Sequence, residues 1–146
     1  MQQYFISYFQ QHLEQLKKEI NAYEQEQDLW IVAPGISNSA GNLCYHLTGN
    51  LNHYIGAALG NTGYERDRPL EFSIKDVPRA ELTRTIDETS AMIESVLNKV
   101  DDLEADYPEA FFSPRRSIAH YLFRLITHFN YHLGQINYHR RILTTT

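Results

Sequence analysis

From Ser117 to Leu143 the chain runs twenty-seven residues without a proline, and its only glycine is Gly134. A stretch of that length has to be read as one long helix, and it carries histidines at 120, 128, 132 and 139. On a helix, residues four apart lie about 40° apart around the axis and roughly 6 Å along it. His128 and His132 therefore point the same way, one turn apart, and two imidazole nitrogens can converge on one divalent ion from that spacing. Gln135 and His139 continue the same face, so polar groups stand where a core helix should carry aliphatic ones.

The rest of the chain shows the same helical period. Phe5, Phe9, Leu13, Leu16 and Ile20 recur at three- and four-residue spacing and predict a helix from about Gln3 to Gln25. Pro34 and Gly35 break the pattern, and Ser37-Asn38-Ser39 supplies N-cap residues for the next helix. In this linker Trp30-Ile31-Val32 is apolar and is expected to fold back onto the core. Leu43, Leu47, Leu51 and Ile55 repeat every fourth residue from Ala40 to Leu59, where Gly60 ends the helix and Asn61 and Gly63 continue the turn. Gly49 lets a neighbouring helix come close. Tyr64 to Phe72 is charged and without helical period, suited either to cross the end of a bundle or to stay a solvated loop. A third helix opens near Asp76-Val77-Pro78, since proline suits the first turn, and Leu82, Ile86, Ile93, Val96 and Val100 mark its apolar face. The connection from Asp101 to Pro114 holds Tyr107-Pro108 and Phe111-Phe112, and Ser117 is the expected cap of the last helix. Phe5, Phe9, Phe123 and Phe129 are expected in the core. Four helices joined by polar connections in 146 residues indicate an all-α four-helix bundle forming one domain, 1–146.

Composition narrows the function. The net charge is -5, and basic clusters such as Arg115-Arg116 and Arg140-Arg141 are pairs, too short to track phosphates, so no nucleic-acid partner is expected. One cysteine, Cys44, allows no internal disulfide and suits a reducing compartment. The N-terminus lacks a secretion signal and no apolar run reaches membrane-spanning length, so a cytoplasmic protein with no membrane partner is expected.

A third metal ligand has to come from a facing helix. His46 and His53 share a face of the second helix but stand about 10 Å apart along it, so only one can reach the pair on the last helix. Spacing does not choose between them. His139, seven residues past His132, is too far for the same ion, and His12 and His120 lie on other parts of their helices. A single helical histidine is most often a hydrogen-bonded or surface group; the His-x-x-x-His pair with a second histidine-bearing helix opposite is what favours ligation. No glutamate stands three before a histidine, which sets aside di-iron carboxylate bundles, and His128-Phe129 does not begin a His-Glu-x-x-His motif. Three neutral imidazoles with open positions follow the catalytic rather than the structural pattern, and zinc, nickel or iron(II) would accept them. Cys44 is expected in the core. Asn50, Asn130 and Gln135 are candidates to accept the outer N–H of a ligating imidazole, and Tyr131 and Tyr138 read as amphipathic packing.

Two of these stretches carry a family likeness. His46-Leu47-Thr48-Gly49-Asn50-Leu51 and His128-x-x-x-His132-Leu133-Gly134-Gln135, with Arg66-Asp67-Arg68 to Glu71-Phe72-Ser73 between them, resemble segments of the DinB (DinB/YfiT-like) superfamily of small bacterial four-helix proteins. The likeness spans nearly the whole chain in the order of its elements. It implies His46, His128 and His132 as metal ligands, a zinc or nickel ion, and a homodimer. It also implies, for some members, metal-dependent thiol transfer or isomerisation with a low-molecular-weight thiol as co-substrate. Where members often carry a further histidine or arginine just before Gly-Gln, this chain has Leu133. Two functions are then expected: a metal-dependent thiol S-transferase or related hydrolase or isomerase acting on a small electrophile, or a non-catalytic, stress-related metal-binding protein.

Overall fold

The computed structural model describes residues 1–109 and 114–144. Among them the regular structure is helical, apart from one isolated antiparallel bridge between Asp106 and Ser117. No described helix is long and apolar enough to cross a membrane. Phe111 and Phe112 of the third connection lie outside the described residues.

Helix α1 spans Gln2–Asn21 and buries Phe5, Ile6, Phe9, Leu13, Leu16 and Ile20 along one stripe. It stops earlier than the expected Gln25. The chain turns at Ala22 and re-forms as a short 3-10 helix, Glu26–Trp30. Of the apolar triplet expected to fold back, Trp30 does so, while Ile31 and Val32 remain 38% and 50% exposed. Gly41 makes room for Trp30: a Cβ there would come 2.8 Å from the indole ring.

Helix α2, Ala40–Leu51, is capped by Ser39, whose Oγ accepts from the Asn42 amide at 3.2 Å. Leu43, Leu47 and Leu51 face inward. The expected helix over 40–59 keeps its extent but not its regularity, because a π-helical turn over Asn52–Ala57 precedes the single turn α3, Ala58–Gly60. Turns of this kind are rare and often stand near functional sites. At its start Asn52 donates from Nδ2 to the Thr48 carbonyl at 2.8 Å and to Thr89 Oγ1 at 2.9 Å. Asn61 ends the segment in the left-handed conformation.

The charged connection is where the structure departs most from the reading of its sequence. It contains a helix, α4, Arg68–Ser73, with Asp67 Oδ1 accepting from the Leu70 amide at 3.1 Å and proline in the first turn. Periodicity cannot show a helix of six residues, since fewer than two turns bury no stripe. Asn42 fastens α4 to α2, donating to the carbonyls of Glu71 at 3.1 Å and Ile74 at 2.8 Å.

Helix α5, Arg79–Leu97, begins one residue after Pro78, which is its N-cap rather than a first-turn residue. Leu82, Ile86, Ile93 and Val96 are buried as expected; Val100 lies beyond the helix end and is partly buried. Helix α6 spans Ile118–Thr144, with Ser117 Oγ accepting from the His120 amide at 3.2 Å. Phe129 is 1% exposed, but Phe123 is not in the core. It is 57% exposed and meets Phe5 edge-on at 4.9 Å between centroids. Leu122, Leu125 and Phe129 already occupy the inward stripe, and Phe123 lies about 100° around the helix from Leu122. Leu133 is 8% exposed and packs inward, so the position before Gly-Gln serves the core. Helix α1 packs on α5 and α6, and α2 packs on α4, α5 and α6. The face of α2 toward α6 carries the site.

Candidate metal centre

His46 comes from the middle of α2, and His128 and His132 from successive turns of α6. The packing of the two helices brings the three rings together, with centroids 5.1 Å apart for His46 and His128, 5.2 Å for His46 and His132, and 4.6 Å for His128 and His132. One nitrogen from each lies within 4.8 Å of the others, so this group could hold a metal ion. His53 is not part of it; its Nε2 lies 3.3 Å from Glu109 Oε2. His139 is buried and engaged elsewhere, between the Tyr23 hydroxyl at 2.6 Å and the Ile31 carbonyl at 2.8 Å. His12 sits on the Tyr8 carbonyl, and His120 is exposed.

The orientation of the rings fits a cation at their centre. His46 Nδ1 stands 2.9 Å from Glu71 Oε1. A carboxylate only accepts, so Nδ1 bears the proton and, in the neutral ring, Nε2 keeps its lone pair. His132 Nδ1 likewise stands 2.7 Å from Gln135 Oε1, which leaves its Nε2 free. His46 Nε2 and His128 Nε2 are 3.2 Å apart. Two nitrogens bound tetrahedrally to one zinc at about 2.0–2.1 Å would be roughly 3.3 Å from each other. The gap is therefore the one an ion between them requires, and it also suits a hydrogen bond from one ring to the other. His128 Nδ1 is buried and has no hydrogen-bond partner among the described residues. Phe72 covers His46 at 4.7 Å, with the Arg68 guanidinium 5.2 Å above the Phe72 ring.

Electrostatics keeps the α6 pair uncharged. Burial, then the neighbouring His132 and His46 and the cations of Arg66 and Arg68, bring His128 down to about 4. Burial also lowers His132, opposed by Gln135 and reinforced by His46. Neutral imidazole is the form that ligates. Cys44, in the core, is pushed up to about 12 by burial and stays a thiol, which removes it as a nucleophile.

Gln135 holds the place expected of an outer acceptor. Asn130 is exposed, and Asn50 Oδ1 is buried without a partner among the described residues. The group that sequence reasoning missed is Glu71, 1% exposed on α4. Arg66 Nε lies 2.9 Å from its Oε2 and Arg66 Nη2 3.0 Å from its Oε1. Burial raises the Glu71 carboxyl, but the hydrogen bonds from His46 and Arg66, with the charge of Arg66, outweigh it and hold the group below the usual carboxylate range. The available signal was the run Arg66-Asp67-Arg68 ahead of a lone Glu71 beside Phe72; nothing in it points inward until α4 is folded.

Fold and site together define an all-helical protein in which two helices converge three imidazoles and a short third element backs one of them. A family model described as "Protein of unknown function (DUF1572)" matches residues 2–146, and the chain belongs to that family. No curated protein matches it.

Proposed function

We propose that the chain is a four-helix bundle of the DinB/YfiT kind that binds one divalent metal ion, zinc or nickel, through His46, His128 and His132, and uses it to transfer a thiol to a small electrophile. The observation that carries this reading is the 3.2 Å approach of two imidazole Nε2 atoms, with the outer nitrogens of His46 and His132 each held by an acceptor. Held by His46, His128 and His132, a divalent ion would supply Lewis acidity, which lowers the pKa of a thiol or water by several units. The chain's own side chains orient the rings, keep them neutral and, through Phe72, shield His46 from water. Glu71, the carboxylate that touches His46, is not free to act as a base, since both its oxygens are taken by Arg66 and His46. By the same likeness the protein is a homodimer, which light scattering would report as twice the 17.0 kDa chain.

The test is loading followed by turnover. Purified protein equilibrated with Zn²⁺ or Ni²⁺ and desalted should retain about one ion per chain, and His128→Ala should retain none. A small thiol and an aryl halide should then react faster with the loaded protein than with the metal-free protein or the variant. Metal retention with no rate enhancement, and a lower melting temperature in His128→Ala, would instead assign the ion a structural role.

A further inference from the structure

Glu71 is a buried carboxylate on a connection that otherwise reads as surface, and the geometry around it points at His46. We propose that Glu71, steered by Arg66, is a positioning residue: it fixes which nitrogen of His46 carries the proton and aims the other at His128 and His132. The inference rests on the metal-site reading above and adds to it a residue, a connection and a glycine.

Three features converge. The Arg66 fork meets both carboxylate oxygens, at 2.9 and 3.0 Å, and so sets the plane of the carboxylate. Oε1 still accepts from His46 Nδ1 at 2.9 Å, so the plane of the carboxylate dictates the plane of the imidazole. Opposite, α2 has Gly49, three residues on from His46. A Cβ at this position would come 2.8 Å from Glu71 Cδ and would overlap Oε2. The backbone of α2 is thus cut back where the carboxylate enters, while Asn42 pins the carbonyl of Glu71 itself and that of Ile74 at the end of α4. A buried ion pair used for stability alone is a poor device, because desolvation offsets most of its attraction. Aimed at the outer N–H of a ligating histidine, the same pair raises the basicity of the ligating nitrogen and removes its freedom to turn away. His132 has an equivalent in Gln135, a weaker neutral acceptor.

The experiment measures Zn²⁺ affinity of the full chain by competition with a chelating indicator, and the visible spectrum of the Co²⁺-loaded protein. Glu71→Gln should weaken Zn²⁺ binding by roughly ten- to a hundredfold and shift the Co²⁺ bands, because a neutral amide is a weaker acceptor for the His46 N–H and breaks the pairing with Arg66 that sets its plane. Gly49→Ala should act in the same direction with every ligand intact. Glu71→Asp keeps the charge that Arg66 needs but withdraws the oxygen by one methylene; it should weaken binding too, and it carries the test if Glu71→Gln does not fold. Affinity and Co²⁺ spectrum equal to the parent's in these variants, even with a lower melting temperature, would make Glu71 a structural clamp and overturn the proposal while leaving the metal reading intact. A parent chain that binds neither ion overturns the metal reading, and this one with it.

Discussion

Phe123 and Phe129 carry the same side chain six residues apart on α6, and their surroundings give them different weights. Phe129 is 1% exposed, with His12 edge-on to it, whereas Phe123 is 57% exposed against Phe5. Truncating a buried phenylalanine removes its transfer free energy and leaves a cavity that neighbours fill only in part. Phe129→Ala should therefore lose about 3–5 kcal/mol in denaturant unfolding. Phe123→Ala should lose about 1 kcal/mol or less, most of it from the edge-on ring pair. Equal losses would contradict the placement of Phe123. Residue type alone put both in the core; the helical angle separates them. The histidines repeat the lesson. His46 and His53 are indistinguishable by type and spacing, and the choice falls to what each meets: Glu71 and two imidazoles for the first, Glu109 for the second.

Between helices, the join of α1 to α6 is partly ionic. Glu19, 5% exposed, accepts from Asn137 Nδ2 at 2.7 Å and from Arg140 Nε at 2.9 Å. Burial raises this carboxyl, but the bonds from Asn137, Arg140 and Gln15, with the charge of Arg140, carry it below its ordinary value. A group whose folded pKa lies below its unfolded one stabilises the fold fully above the unfolded value. That contribution is lost as pH falls through the folded value. Stability should thus decline as pH drops below about 4.5, and Glu19→Gln should be less stable at neutral pH by roughly 1–3 kcal/mol with a shallower acid limb. Urea melts at several pH values measure both; parallel acid limbs for parent and variant would remove Glu19 from this role. The long helices were legible as periods of apolar residues because each runs enough turns to display a stripe. The six residues of α4 and the π turn after Leu51 were not. The first is too short to show a period, and the second is an irregularity that sequence spacing does not record.

For the whole chain, metal and fold should be coupled, because three ligands drawn from α2 and α6 can meet one ion only when those helices are packed. At free metal one hundred times its dissociation constant the added stability is about 2.7 kcal/mol, or roughly 5–10 °C in melting temperature for a chain of this size. Scanning calorimetry with and without Zn²⁺ should show that rise in the parent and none in His128→Ala. An unchanged parent melt at saturating Zn²⁺ would argue against the three-histidine centre. What the order of residues settled was local: where helices form, which stripe each buries, and that His128 and His132 share a face, since period and side-chain direction follow from the backbone of a single segment. What waited for packing was every contact between distant parts of the chain. His46 reaches His128 from eighty-two residues away, and Glu71 enters beside Gly49 from a connection with no pattern of its own. Such contacts depend on how helix surfaces interlock, and no single segment encodes that.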